Sequence, residues 1–337
     1  MTQLAHPSAQ SEQFVLDRNF ALEAVRVTEA AALAASRWTG RGDEKEADRA
    51  AVEAMRETLN SMWIDGTVVI GEGERDKAPM LYIGEKVGNA QGKGPKIDIA
   101  LDPLEGTTIC ANATANALAV LAMADAGGFL HAPDVYMDKI AVGGGLPSDV
   151  VTLNAGIKEN LTNLAKAKQC DISDLVVCIL DRERHAEMIA KTRELGARIQ
   201  LIGDGDVAGV IATSSPNTGV DIYMGIGGAP EGVLAAAALQ CIGGQMQGKL
   251  LFRDEDEKGR ATRMGITDFD KIYTMDDLAY GNVMFAATGV TDGSMVRGVH
   301  RFEGGATTES IIMRSKTGTV RTVHCKHNFT RKNWVDG

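Results

Sequence analysis

The sequence has no CxxC pair, no run of 18 apolar residues, no basic excess, no internal repeat and no low-complexity segment. Each absence removes a class of protein. The cysteines are Cys110, Cys170, Cys178, Cys241 and Cys325. Their odd number and wide scatter do not suit a disulfide scaffold and do suit a reduced, cytoplasmic protein. Without a long apolar run, no membrane span is expected. The opening "MTQLAHPSAQSEQF" has neither a basic n-region nor an apolar h-region. No secretory signal is therefore expected, and residues 1–18 read as a flexible tail. The formal net charge is −10, the opposite of the basic face that nucleic-acid binding uses. An anionic small ligand stays open, provided metal ions or local Arg and Lys reverse the field where it binds.

What is present is ordinary in amount and unusual in placement. The 337 residues are 44% apolar and 24% charged, with 38 glycines, enough for one large or two ordinary domains rich in turns. "RNFALEAVRVTEAAALAASRW" reads as a long helix stopped by "GRG" at 40–42. Asp43 and Glu46 form a D-x-x-E capping pattern that opens a second helix. "GTVVIGEGE" reads as a short strand, and "MLYIGEKVG" as another. "NALAVLAMADAGG" stays ambiguous: its alanines suit a helix, its length and terminal glycines a strand. Farther on, "LVVCILD", "RERHAEMIAKTRELG" and "ARIQLIGDGD" make a βαβ unit, whose crossover predicts parallel strands. "VAGVIATSS", "GVDIYMGIGG" and "APEGVLAAAALQCIGG" continue the alternation, with Pro230 in the first turn of the last helix and glycines at its end. "ESIIMRSKTGTVRTVHC" reads as a hairpin around Lys316-Thr317-Gly318.

Acids recur at the ends of these strands. Glu72 and Glu74 stand in "GEGE", Asp102 and Glu105 in "DPLEG", and Asp204 and Asp206 in "GDGD". Ligands of α/β sheets bind outside the carboxyl ends of strands. Carboxylates clustered without His or Cys are hard oxygen ligands, which favours Mg²⁺ or Mn²⁺ over Zn²⁺. In "KIDIALDPLEGTT" the apolar alternation breaks at Pro103, leaving two acids, a glycine and two hydroxyls together. The acids are read as metal ligands. The backbone N–H groups of Gly106, Thr107 and Thr108 are read as phosphate donors, and the Thr107 hydroxyl as the group that orients an attacking water. Taken singly, most of these acids have plainer explanations. Asp43 reads as a helix cap, as Asp206 does, Glu74 as solvated, and Asp48 and Glu231 as acids in helix first turns. Only the joint pattern supports a metal site.

"DPLEGT" resembles the D-P-[IL]-[DE]-G-[ST] pattern of the metal-dependent, lithium-sensitive sugar and inositol phosphatases. With "GRGDEKEAD", "GTVVIGEGERDKAPMLYIGEKVG", "APDVYMDK", "RERH", "DGDVA" and "GIGGAPEG" in the same order, the chain resembles bacterial class II fructose-1,6-bisphosphatase over roughly residues 20–310. The resemblance implies a two-domain layered α/β sandwich of αβαβα type. Residues 19–155 would bind metal and phosphate, and residues 156–330 the substrate. It implies metal ligands at Asp48, Glu72, Asp102, Glu105 and Glu231, with Thr107, Asp48 and Glu72 carrying the catalysis. It implies substrate contacts at Glu105, Gly106, Thr107, Tyr136, Arg182, Glu183, Arg184, Asp204, Gly205, Asp206 and Gly228. The implied reaction removes the 1-phosphate of fructose 1,6-bisphosphate with Mg²⁺ or Mn²⁺, in gluconeogenesis or a carbon-fixation cycle, by a homo-oligomer (dimer or tetramer). A dual fructose/sedoheptulose bisphosphatase, an inositol-phosphate phosphatase and an inactive sugar-phosphate sensor are the alternatives. "HCKH" at 324–327 offers soft ligands. With one strand-like spacing and no second cluster, an exposed terminal strand is the expectation there.

Overall fold

The computed structural model describes residues 20–73, 79–215 and 217–331. The expected tail and Glu74 lie outside the described residues. The strands are β1 (Asp65–Ile70), β2 (Lys86–Val87), β3 (Lys96–Glu105), β4 (Leu118–Asp125), β5 (Tyr136–Val142), β6 (Val176–Leu180) and β7 (Arg198–Ile202). They continue with β8 (Ile222–Gly228), β9 (Gln245–Leu251), β10 (Ile272–Tyr273), β11 (Val283–Gly289), β12 (His300–Phe302), β13 (Gly305–Arg314) and β14 (Thr319–Asn328). One sheet runs β12-β13-β11-β4-β3-β1-β2 with β14 paired to β13; the other runs β10-β9-β5-β8-β6-β7.

Helices α1 (Phe20–Ala35) and α2 (Glu44–Ser61) cover the outer face of the first sheet. Asp43 caps α2 as expected, accepting the Glu46 N–H at 3.1 Å. The short α3 (Thr107–Ala111) follows β3. Helices α4 (Ile157–Lys168) and α5 (Ala186–Glu194) cover the outer face of the second sheet. Between the sheets lie α6 (Asp206–Ala212) and α7 (Ala229–Ile242), with buried residues all around the latter. A helix apolar on every side belongs in a core, so α7 separates the sheets and the stack is αβαβα. Three apolar cores follow from these layers. Helix α8 (Glu255–Arg263) and the one-turn α9 (Met275–Leu278) complete the described helices.

Both faces of β4 are covered. Ala119, Leu121 and Met123 face α1 and α2, while Leu118, Val120 and Ala122 face α7. Its alanines let helices approach on both sides, which resolves the helix-or-strand ambiguity as a strand. The βαβ unit forms as expected, β6 pairing in parallel with β7 and β8. The hairpin forms as β13 and β14. Three expectations need correction. "MLYIGEKVG" yields only the two residues of β2, because Leu81 and Gly84 take positive φ and turn the chain. Pro103 does not end β3, which continues to Glu105. The break expected at residue 155 is not where the chain changes sheet. The chain crosses to the second sheet before β5 and returns to the first at β11.

Candidate active site

Residues three apart on a regular strand point to opposite faces. Asp102 and Glu105 escape this because Pro103 has no N–H to give the ladder. The pairing of β3 with β4 shifts register between Asp102 and Glu105, and such a bulge re-aims a side chain. Asp102 Oδ1 accepts the Leu104 N–H at 3.0 Å, and its carboxyl lies within 4.8 Å of that of Glu105. Gly106 then takes the left-handed conformation, φ 86°, and opens α3. The sequence break at Pro103 is therefore the device that brings two acids to one place.

A third acid arrives from α7. Pro230 stands in its first turn, and Glu231 folds back over Gly228, where a Cβ would overlap Glu231 Oε2. Ligand atoms of Asp102, Glu105 and Glu231 lie within 4.8 Å of one another. Asp48 from α2 and Glu72 after β1 complete the wall of a cavity of about 290 Å³. Asp134, Asp204, Gly106 and Thr107 line it too. All five expected metal ligands are thus brought together, from α2, the turn after β1, β3 and α7.

So many carboxyls in one cleft cannot all ionise cheaply without a counter-charge. Burial first, then Asp102, Asp48 and Glu231, pushes Glu72 up to about 9. Burial, with Asp206 next, raises Glu231 to about 7, against the opposing Lys139 charge. Burial raises Asp102 to about 6 and Glu105 well above the usual range, and lifts Asp48 and Asp204. Among the described residues, Glu231 Oε2 is buried with no hydrogen-bond partner. An all-oxygen set with one orphaned carboxylate oxygen fits a hard divalent cation.

These shifts set a pH dependence for the metal-free protein. Each folded value lies above the unfolded one, so the stabilising contribution is complete below about 4.5 and is lost as pH rises through about 7 and then about 9. The melting temperature of EDTA-treated protein should fall by several degrees between pH 5 and 9, and saturating Mg²⁺ or Mn²⁺ should remove most of that slope. A slope unaffected by either metal would detach these acids from cation binding.

The remaining expected residues spread from this centre. Thr107, the first residue of α3, lines the cavity, and its hydroxyl makes no hydrogen bond among the described residues. Tyr136 opens β5, paired with Gly228. The Arg184 guanidinium lies 5.0 Å from its ring centroid, and Arg184 Nε and Nη2 donate to the Ile226 carbonyl at 3.1 and 2.8 Å. His185 sets that carbonyl in place. Its Nδ1 donates to the Leu180 carbonyl and its Nε2 accepts the Ile226 N–H, both at 2.8 Å. The last residue of "RERH" is therefore structural. Arg182 sits 3.7 Å from Asp204, and Gly205 is the left-handed cap of α6. Glu183 is exposed, in a single turn after β6. Asp206 differs from expectation. Its buried carboxylate pairs with Lys139 and lies 3.4 Å from the Tyr223 hydroxyl, off the cavity wall.

Two further cations near the site are not among the expected site residues. Lys139 is 1% exposed and also donates to the Gly228 carbonyl at 2.9 Å, which ties β5 to the start of α7. Its place in "YMDKIAV" carries the signal, since period two puts it on the inward face with Met137 and Ala141. Arg253 lies 5.7 Å from the Tyr136 ring centroid. No spacing in "RDEDEKGR" indicates that approach.

The family model described as "Bacterial fructose-1,6-bisphosphatase, glpX-encoded" matches residues 18–327. The chain belongs to this family. Fructose-1,6-bisphosphatase 1 class 2 of Escherichia coli (strain K12) is 48% identical over 330 residues, 94% of this chain and 97% of that one. Fructose-1,6-bisphosphatase class 2 of Shigella flexneri matches to the same extent. A solved inositol monophosphatase from Anabaena aligns over 58% of this chain and 72% of its own at 14% identity, with a TM-score of 0.31, too distant to bear on the site. The family match spans both sheets, so it takes in every element that supplies an acid to the cavity.

Proposed function

We infer that the protein is a metal-dependent phosphatase that hydrolyses fructose 1,6-bisphosphate to fructose 6-phosphate and phosphate. The observation that carries this reading is the convergence of Asp102, Glu105 and Glu231 from two distant segments beside the Thr107 turn. Asp48, Glu72, Asp102, Glu105 and Glu231 would hold Mg²⁺ or Mn²⁺, which when bound offsets phosphoryl charge and activates water near neutral pH. The Gly106 turn lets the backbone approach the phosphoryl group without a side chain between them. The Thr107 hydroxyl orients the attacking water, and a carboxylate of the cluster takes its proton. Tyr136, flanked by Arg184 and Arg253, forms a cationic wall suited to the phosphate that is not cleaved. Arg182, Asp204 and Gly205 edge the sugar side. The scattered thiols fit a reduced cytoplasmic setting, with the enzyme working as a homo-oligomer.

The test is phosphate release with Mg²⁺ or Mn²⁺ across fructose 1,6-bisphosphate, sedoheptulose 1,7-bisphosphate and inositol 1-phosphate. Hydrolysis of the fructose bisphosphate supports the reading, whether or not the seven-carbon analogue is also cleaved. Release from inositol phosphate alone, or from none of them, would overturn it. Arg184→Ala should raise KM for fructose 1,6-bisphosphate roughly 10–100-fold, the loss of one charged hydrogen bond, with a smaller effect on kcat. An unchanged KM would remove the guanidinium from phosphate binding.

A further inference from the structure

Cys325 and His327 do not lie on an open strand face. Two residues apart on β14, they point to the same side of the sheet, and that side is covered by α1. His327 is 4% exposed and Glu29 of α1 is 5% exposed, while Cys325 is partly buried. The second element that "HCKH" lacks in sequence is thus supplied from almost 300 residues away. Ligand atoms of Glu29, Cys325 and His327 fall within 4.8 Å of one another.

The arrangement has an internal order. The Thr308 hydroxyl donates to Glu29 Oε1 at 3.1 Å and meets His327 Nε2 at 2.8 Å. A hydroxyl has one proton, so Nε2 must supply the other. His327 Nε2 and Glu29 Oε1 are themselves 3.8 Å apart. Two ligands each about 2.0 Å from a tetrahedral ion stand roughly 3.3 Å apart, so a small side-chain shift would suffice. Cys325 pairs with Thr308 across the two strands, which puts thiol, hydroxyl, imidazole and carboxylate around one point.

We propose that Glu29, Cys325 and His327 form a second metal site, for Zn²⁺ or a similarly thiophilic divalent cation. One sulfur, one nitrogen and one oxygen ligand suit such an ion and not Mg²⁺. Binding displaces the thiol proton and the Nε2 proton, and the Thr308 oxygen or a water takes the fourth position. The site fastens the last described strand to the first described helix, at a distance in sequence where a cross-link constrains the chain most. Its role is structural, separate from the carboxylate site between the sheets.

Cobalt separates the two sites, because only this one has sulfur. Metal-stripped protein, held in excess Mg²⁺ to fill the carboxylate site, is titrated with Co²⁺. Thiolate-to-cobalt charge-transfer absorption should grow and saturate at one equivalent, disappear in Cys325→Ser, and weaken strongly in Glu29→Gln and His327→Gln. Zn²⁺ should bleach it and raise the melting temperature of the wild type only. Cys325→Ser should keep its Mg²⁺-dependent phosphate release. Absence of the band overturns the proposal, as does a band that survives Cys325→Ser or is untouched by both other substitutions. Should His327→Gln fail to fold, the nearly isosteric Glu29→Gln carries the comparison.

Discussion

Glu105→Gln should abolish measurable phosphate release while leaving the fold intact. Glu105 is 4% exposed, sits beside Asp102 and Glu231, and accepts the Val207 N–H at 3.3 Å. Gln keeps that acceptor and the side-chain volume, and removes only the charge. A hard cation draws most of its binding from carboxylate charge. Metal affinity should fall by more than the roughly 10–100-fold that loss of an outer partner of a ligand typically costs. The substitution also relieves repulsion among buried acids, so the metal-free variant should melt at or above the wild-type temperature at pH 8. Activity near wild type at saturating Mg²⁺ would take Glu105 out of the metal site.

Thr107→Val separates orientation from binding. Valine keeps the β-branched shape, so the turn after Gly106 and the acids around it should survive. Only the hydroxyl of this cavity-lining residue is lost. The expected loss in kcat is on the order of 10²–10⁴, with near-normal metal affinity and a KM changed by only a few-fold. Thr107→Ser restores the oxygen and should recover much of the rate. A valine variant as fast as wild type would leave Thr107 as a turn residue. Equal loss in the valine and serine variants would place the role in the methyl group or the turn geometry.

The sequence made the local features of this molecule readable and left the long-range ones hidden. Asp43 as a cap, Pro230 at the start of α7 and the Gly243 left-handed end of that helix depend on a few neighbouring residues. So do the parallel βαβ unit and the acid-rich turn after β3. The bulge was half visible. Pro103 announced an irregularity, but its outcome depends on the pairing with β4, which makes continuing the strand cheaper than ending it. The return of β11 to β14 to the first sheet has no local cause, because a strand's composition does not name its neighbours. The period of β5 turns Lys139 inward, but its partner Asp206 and the Gly228 carbonyl come from distant segments that no local pattern names. Cys325 and His327 look like a terminal surface strand for the same reason, since the helix that covers them lies at the other end of the chain. Asp48, which reads alone as a first-turn acid, gains its place in the site only when α2 packs against β3.

Acids from separate elements around one cavity would hold a divalent cation that makes one phosphate of a sugar bisphosphate hydrolysable. The most direct measurement is metal add-back to EDTA-treated protein with fructose 1,6-bisphosphate, reading released phosphate together with the identity of the remaining sugar monophosphate. No release is expected without metal, full recovery with Mg²⁺ or Mn²⁺, and fructose 6-phosphate as the sugar product. Release that persists at the same rate in EDTA, or fructose 1-phosphate as the product, would contradict it.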